Sequence, residues 1–301
     1  MKVSDYLSRE EAARFTRKSD AHAWRLVLGN WLAIGAILAV AGAFPNPLTI
    51  VLAVILLAGR QLGLSVLMHD CGHRTLFRTP WLNDVVGQWL CALPVLNDQP
   101  TYARGHLQHH RKAGTDEDPD LPNYRAYPVS RESFRRKVIR DLTGQTGIKL
   151  AAYVLRGAAG VFNSKKRRGA LSFLQRIALQ FALFLVLWAC GIGWTYLLWI
   201  VALMTVFMFV VRVRQVAEHA AVPDLYDPDV RKNTRTVEAP WWQRLVFAPN
   251  GVNYHMEHHF MASVPCYRLP ALREHLRRRG ALEGVPVFRG YDEVLRHAVT
   301  A

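Results

Sequence analysis

Histidines occur in three short groups along this chain, and their spacing is typical of a metal site. The third group is NYHMEHHF, in which His255, His258 and His259 stand at positions i, i+3 and i+4. On an α-helix each residue advances by about 100°, so the second and third of these imidazoles lie within roughly 60° of the first. Neutral imidazole is the commonest nitrogen ligand of iron, copper and zinc in proteins. The spacing therefore predicts a helix that presents several metal ligands on one face.

Two further groups follow the same pattern. HDCGH contains His69 and His73, and GHLQHH contains His106, His109 and His110. Together the three groups hold eight of the twelve histidines of the chain. A single zinc site takes three or four protein ligands, so eight imidazoles are too many for one ion and suit two. A pair of redox metals with nitrogen-rich ligands indicates iron and oxygen chemistry.

Four apolar stretches must position these groups. The chain of 301 residues is 51% hydrophobic and yet carries a formal net charge of +15, which long apolar segments between basic loops would explain. About 20 apolar residues cross a hydrocarbon core of about 30 Å. Nucleic-acid binding would need a basic face on a folded nucleic-acid-binding module. The sequence shows no recognisable module of this kind, so we predict no nucleic-acid partner. The predicted membrane spans are 24–44, 48–68, 173–190 and 194–211.

The distribution of Lys and Arg among the loops predicts the membrane topology. The short turns 45–47 and 191–193 contain no Lys or Arg, whereas the opposite side holds nearly all the basic residues. By the positive-inside rule both termini and both polar segments, 69–172 and 212–301, are cytosolic. Residues 80–96 are apolar but too short to span, and we predict an interfacial helix there. The predicted fold is a single all-α integral membrane domain over 1–301, two helical hairpins with a cytosolic helical cap, in a bacterial inner membrane.

All three histidine groups fall on the cytosolic side of this topology. The fourth span is predicted to continue as helix to His219, which reaches the same membrane edge and is a ninth candidate ligand. Metal-bound imidazoles usually donate their second N–H to a carboxylate or carbonyl. Asp70, Glu218 and Glu257 stand directly beside candidate ligands and are expected to orient them, with simple solvation as the alternative. Gln215, one turn before His219, is expected to hold a water.

An acidic run at 116–120 stands out in the basic cap. A calcium loop needs alternating ligands and a central glycine, which this run lacks. We therefore expect salt bridging within the cap.

The motifs HDCGH, GHLQHH and NYHMEHH, in this order and topology, resemble those of the membrane fatty acid desaturase and hydroxylase superfamily. The segment PCYRLPAL at 265–272 resembles the P-x-Y-x-L-P-x-L run of that family. HDCGH and HxEHH resemble the acyl desaturase branch in particular. The resemblance covers about 25–280 and implies a non-haem diiron centre held by the eight grouped histidines and His219. Gln215 stands where some family members have Asn.

The function so indicated is O2-dependent oxidation of a lipid acyl chain by two ferrous ions, with desaturation as the outcome. Lipid hydroxylation and carotenoid ketolation or hydroxylation in the same superfamily are alternatives. A membrane zinc metallohydrolase is an alternative of another class, because His69-Asp70-x-x-His73 mimics HExxH with Asp70 as the general base. A metal transporter is a third, although transport sites normally lie near the bilayer midplane.

Electrons for such a reaction must come from another protein. No flavin motif, haem motif or HPGG-type segment of a fused cytochrome b5 is visible, so a separate carrier such as ferredoxin or a cytochrome b5-type protein is predicted. The basic groups 135–137 and 165–168 are expected to steer an acidic carrier or to contact anionic membrane lipids. The substrate is a lipid or an acyl thioester, and its identity is left open.

Overall fold

The computed structural model describes residues 1–160 and 167–300, and this part of the chain is almost entirely helical. The helices are α1 Arg9–Phe15, α2 Asp20–Ala43, α3 Pro47–Gly72, α4 Pro80–Val86, α5 Gln99–Lys112, α6 Arg131–Leu142, α7 Gln145–Arg156, α8 Arg167–Ala189, α9 Tyr196–Met204, α10 Val206–His219, α11 Val230–Asn233, α12 Trp241–Val246, α13 His255–Phe260, α14 Leu269–Arg278 and α15 Tyr291–Ala298. Two short parallel strands, β1 Val129–Ser130 and β2 Val299–Thr300, pair in the cap.

Four helical segments of the described chain are long and apolar enough to cross a membrane, and they confirm the four predicted spans. They are Arg9–Ala43, Pro47–Gly72, Gly169–Ala189 and Gly193–His219. The turn between α2 and α3 is tight because Asn46 caps α3, accepting hydrogen bonds from the backbone N–H groups of Leu48 and Thr49, and Pro47 occupies the first helical position.

Helix α3 is the scaffold of the membrane part. It packs against α2, α9, α10 and α12, and 56% of its apolar segment is buried, against 17% to 39% in the other three spans. Leu57, Leu62 and Leu64 of α3 are fully buried against Leu203 and Val210 of the fourth span. The end of α3 that carries HDCGH is therefore held in a fixed position by packing on several sides.

The fourth span differs from the predicted continuous helix. It consists of α9 and α10, with a break at Thr205 (φ −124°, ψ −85°). Helix α7 packs against α9 so closely there that a side chain on Gly147 would overlap the carbonyl oxygen of Met204. Beyond the break, α10 continues to His219, as the sequence predicted.

The segment 80–96 is not one interfacial helix. Helix α4 passes into one turn of π-helix, Gly87–Ala92, and then a short 3-10 turn, Leu93–Val95. The wide turn packs tightly on α3, because a Cβ on Gly87 would lie 2.6 Å from Cβ of Cys71. Trp81, Val85 and Trp89 nevertheless stay exposed, which keeps an apolar outer face of the kind expected at a membrane interface.

The cap is less uniformly polar than its sequence suggests. Helix α7 packs against α9 and exposes Ile148, Tyr153 and Leu155, so one face of this helix is apolar and lies beside a membrane span. Of the two predicted basic groups, 165–168 lies outside the residues whose side chains the structure describes. The rest of the cap, α5, α6 and α11–α15, surrounds the ends of α3 and α10 that carry histidines.

Candidate metal centre

The first histidine group occupies the end of α3. His69 lies in its last turn and His73 is the capping residue one turn later, so both imidazoles project from one side, 4.7 Å apart between ring centroids. Asp70 holds this end in place. One of its carboxylate oxygens accepts a hydrogen bond from Nδ1 of His69 at 3.1 Å, and the other accepts one from the backbone N–H of Cys266 at 2.7 Å. This contact supports the predicted orienting role of Asp70.

The second group lies on α5, which begins at its N-cap Asp98. His106 and His110 are one turn apart and their Nε2 atoms lie 3.0 Å from each other. Tyr102, a further turn back, stacks on His106 with centroids 5.3 Å apart. His109 is buried and points to a different side of the helix, as the 100° advance per residue requires.

His109 is oriented by a residue that the sequence analysis missed. Nδ1 of His109 donates to Oδ1 of the buried Asp118 at 2.8 Å, and the Tyr124 hydroxyl donates to Oδ2. Although burial raises it, these hydrogen bonds bring the pKa of Asp118 below its ordinary value. The acidic run therefore has two roles. Glu117 forms a salt bridge with Lys112, whereas Asp118 orients His109. The sequence signal that could have indicated this contact is the run of acidic residues shortly after GHLQHH.

The third group lies on α13, a helix of only six residues. Its Glu257 is fully buried, but it does not orient a histidine as predicted. Its carboxylate accepts hydrogen bonds from Thr236 and, at 2.7 Å, from Arg273. Among the described residues it has no histidine partner. Glu257 is two positions from His255, hence about 200° around the helix, and it anchors the opposite side of α13 to α14.

His219 ends α10 and joins the third group. Its Nδ1 donates to the backbone carbonyl of Asn233 at 3.1 Å, and its Nε2 lies 2.8 Å from Nε2 of His255. Tyr124 stacks on its ring.

Glu218 lies beside this contact. One carboxylate oxygen is 3.5 Å from Nδ1 of His255, and the other is 3.1 Å from a guanidinium nitrogen of Arg214. The position of Glu218 supports the predicted orienting role, and Arg214, which the sequence analysis passed over, holds the carboxylate.

Nine histidines converge in two clusters. In each, one nitrogen per residue lies within 4.8 Å of the corresponding nitrogens of all the other members. Both the second and the third groups are divided between the clusters: residues i and i+4 stay together, while residue i+3 joins the other cluster. The five-histidine cluster is His69, His73, His106, His110 and His258, and the four-histidine cluster is His109, His219, His255 and His259.

The clusters have the properties of metal sites. Two nitrogens bound to one ion at about 2.1 Å and at right angles are about 3.0 Å apart, and the Nε2 pairs His106–His110, His110–His258 and His219–His255 are separated by 2.8 to 3.0 Å. Nε2 of His73 and Nε2 of His259 are buried without a hydrogen-bond partner in the described structure. The donor set therefore fits two first-row metal ions.

Burial favours the neutral form of six of the clustered imidazoles. Burial, and after it the neighbouring imidazoles, lowers the pKa of His73 to about 3 and that of His110 to about 2. The pKa values of His106, His255, His258 and His259 are lowered in the same way. Neutral imidazole, with a free lone pair, is the form that binds metals.

Gln215 lies on the wall of a cavity of about 470 Å³ beside the five-histidine cluster. It has no side-chain hydrogen bond within the described residues, and the predicted water at this position stays a prediction. The cavity runs between α3, α7 and α10, and its inner wall includes Met68, which precedes His69, and Tyr102, which stacks on His106. Most of its other lining is apolar. His22, His275 and His297 lie outside both clusters.

Comparison with known proteins agrees with this site. A family model described as fatty acid desaturase matches residues 45–291. Dihydrorhizobitoxine desaturase of Bradyrhizobium elkanii is 25% identical over 235 residues, 72% of this chain and 65% of that protein. The sn-1 oleoyl-lipid 12-desaturase of Arthrospira platensis is 26% identical over 265 residues, 82% of this chain and 73% of that protein.

A beta-carotene ketolase of Paracoccus sp. is 34% identical over 97 residues, 32% of this chain and 40% of that protein. This chain therefore spans about two thirds of the first relative and less than half of the ketolase. The match of the family model over most of the chain, on a fold with four candidate spans and two histidine clusters, shows that the chain belongs to the fatty acid desaturase family.

Proposed function

We propose that this protein catalyses the O2-dependent desaturation of a lipid acyl chain at a pair of iron ions. The observation that carries the proposal is the division of nine buried or half-buried histidines into one cluster of five and one of four. Two ions with nitrogen-rich ligands suit iron and O2 chemistry. When bound, the two ferrous ions would supply the reduction of O2 and the removal of hydrogen from an unactivated C–H bond.

The chain's own residues prepare the site. Asp70, Asp118 and the Asn233 carbonyl each accept the Nδ1 proton of a histidine, which leaves Nε2 of that ring unprotonated and aimed into a cluster. Such fixed tautomers raise the affinity of a site for metal. Tight packing of Tyr102 and Tyr124 on the rings of His106 and His219 excludes water from the outer sides of the clusters.

The cavity of about 470 Å³ is where we place the acyl chain. Leu62, Met68, Leu150, Phe207 and Val211 give it an apolar wall that suits a hydrocarbon, and polar side chains such as Lys149 and Arg214 line the rest of it. Its inner end lies at Tyr102 and Met68, next to the five-histidine cluster.

The electron balance of the reaction indicates what kind of protein partner it needs. Removing two hydrogens from neighbouring carbons supplies two electrons, and reduction of O2 to two waters consumes four. The other two electrons come from a separate one-electron carrier, and we propose a ferredoxin or a cytochrome b5-type protein. A desaturase of Nostoc sp. that is 31% identical over 91 residues, 30% of this chain and 24% of that protein, is named as ferredoxin-dependent.

The zinc hydrolase alternative is disfavoured by Asp70. A general base needs a carboxylate oxygen free to take a proton from water, whereas both oxygens of Asp70 are engaged by His69 and by the backbone of Cys266. The transporter alternative gains no support either, because the clusters lie where α3 and α10 end and not at mid-helix.

The test is lipid mass spectrometry of cells that express the protein, with His255→Ala as the inactive control. A new product two hydrogens lighter than its precursor is the expected result. A product one oxygen heavier indicates hydroxylation, and one that gains oxygen and loses two hydrogens indicates ketolation. Metal analysis of the purified protein should give about two irons per chain. One zinc and no O2 uptake would contradict the proposal.

A further inference from the structure

A second, polar cavity of about 740 Å³ opens on the cytosolic side of α2, and its residues take no part in the histidine clusters. Four cationic side chains line it, although they are far apart in sequence. Arg17 and Lys18 come from the linker between α1 and α2, Arg78 precedes α4, and Arg268 precedes α14. Three separate parts of the fold thus bring positive charge to one opening.

These cations are not neutralised by the protein. The cavity has one carboxylate on its wall, Asp20, and that carboxylate accepts hydrogen bonds from the backbone N–H groups of Arg78 and Thr79 and from the Thr79 hydroxyl. None of the four cations forms an ion pair with a carboxylate of the described chain, whereas Arg212 and Arg273 in the cap do.

Two of the cations are held in place and two are free to bind. Lys18 donates to the carbonyl of Arg74 at 2.7 Å, and Nε of Arg268 donates to the carbonyl of Arg17 at 2.7 Å. The guanidinium groups of Arg17 and Arg78 are exposed and have no hydrogen bond to described residues. His22 stacks on Tyr267 and contacts Ser19 at the edge of the cavity, so the remaining titratable group on the wall is already engaged.

The cavity lies at the edge of the membrane. Helix α2 begins at Asp20, and Leu28, eight residues or about 12 Å along the helix, is already 51% exposed on its apolar surface. Trp81, three residues after Arg78, is exposed as well. Indole rings concentrate at the level of lipid headgroups. These positions place the cavity at the level of the lipid headgroups.

We propose that this cavity binds the phosphate of an anionic phospholipid. Guanidinium groups match phosphate oxygens with paired hydrogen bonds, and an ammonium adds a point charge. The ligand chemistry is a phosphate mono- or diester, and the position at the apolar surface of α2 identifies a lipid headgroup as its source. The observations that support this site do not depend on the proposed reaction or on its substrate.

Lipid at this position would be coupled to the first histidine group. The Tyr267 hydroxyl accepts a hydrogen bond from the backbone N–H of Ser19 on the cavity wall at 2.8 Å. The neighbouring Cys266 donates its N–H to Asp70, which orients His69. A bound headgroup fixes the linker 16–19 and, through Tyr267, the segment that supports Asp70.

The test compares lipid retention in native mass spectrometry after the full-length protein is purified from an equal mixture of phosphatidylglycerol and phosphatidylcholine. The test variant is Arg17→Gln/Arg78→Gln, and Arg17→Lys/Arg78→Lys keeps the charge. Arg125→Gln/Arg289→Gln removes the same charge from exposed positions elsewhere in the cap, outside the basic group 135–137, and serves as the matched control. Loss of two membrane-facing cations should lower the retention of phosphatidylglycerol roughly 30-fold, while the Lys pair and the control stay within a few-fold of wild type.

Equal retention of phosphatidylglycerol by wild type and the Gln pair overturns the proposal. So does displacement of the lipid by inorganic phosphate at equal concentration, which would make the site one for a soluble anion. A third contrary result is unchanged lipid retention together with slower reduction by an acidic carrier, since the cavity would then belong to the electron donor. Metal content of each variant verifies folding and separates failure here from failure of the proposed reaction.

Discussion

Nδ1 of His109 lies 2.8 Å from Oδ1 of Asp118, and this buried contact joins the second histidine group to the acidic run that follows it. His109 is the member of the four-histidine cluster that α5 supplies. Tyr124, which stacks on His219, donates to the same carboxylate. Two ligands of one cluster are thus positioned by a single acidic residue.

Asp118→Asn should therefore lower metal affinity at the four-histidine cluster. The amide still accepts a hydrogen bond but loses the negative charge that makes the imidazole a better donor to metal, so we expect a 10- to 100-fold loss. Titration of the metal-free protein with Co²⁺, followed by visible absorption, measures it. Glu117→Gln, one residue away but exposed and paired with Lys112, is the control and should bind as wild type does. Equal affinities for Asp118→Asn and wild type would contradict the assigned role.

Glu218→Gln and Glu257→Gln should affect different properties of the protein, although both residues stand beside histidines in sequence. Glu218 contacts His255 and Arg214, so its change should weaken metal binding. Glu257 pairs with Arg273 on the other side of α13, and breaking a buried pair costs about 3–5 kcal/mol. Its change should lower the midpoint of thermal unfolding and leave metal per folded chain unchanged. Thermal melts and metal analysis of both variants distinguish the two roles, and identical behaviour would refute the distinction.

Leu150→Trp should restrict the length of acyl chain that the protein accepts. Leu150 lines the 470 Å³ cavity, and a larger side chain occupies the space of several methylene groups. Leu155→Trp, on the same helix but 59% exposed, is the matched control. Competition between short and long acyl substrates, followed by gas chromatography, should show a shift to the shorter chain for Leu150→Trp alone. An unchanged preference, with the variant folded, would place the acyl chain elsewhere.

Removal of metal should destabilise the protein, because buried imidazoles such as His73 and His259 then lack a partner. A ligand present at 1,000 times its dissociation constant stabilises by about 4 kcal/mol, so chelation should lower the unfolding midpoint by several degrees, and added Fe²⁺ should restore it. His258→Ala should lose part of the effect. His297→Ala, outside both clusters, should keep it. An unfolding midpoint that does not change when chelator is added would argue against a resident metal.

The sequence by itself determined the four candidate membrane spans and the identity of the nine candidate ligands, and it predicts the side of the membrane on which the histidines lie. These follow from local properties: the length of an apolar run, the position of Lys and Arg in loops, and the spacing of His on a helix. Spans such as Pro47–Gly72 carry their signal in consecutive residues. The number of grouped histidines predicts a second metal ion.

Only the tertiary structure decided how the ligands are shared and what supports them. His258 leaves His255 and His259 to join His69, because the angle between helices α13, α3 and α5 places its ring on the other side. Asp118 and the Asn233 carbonyl reach their histidines through loops that follow α5 and α10. Adjacency in sequence suggested Glu257, which packing turns away. Such contacts depend on how helices pack, and spacing along one helix carries no information about its neighbours.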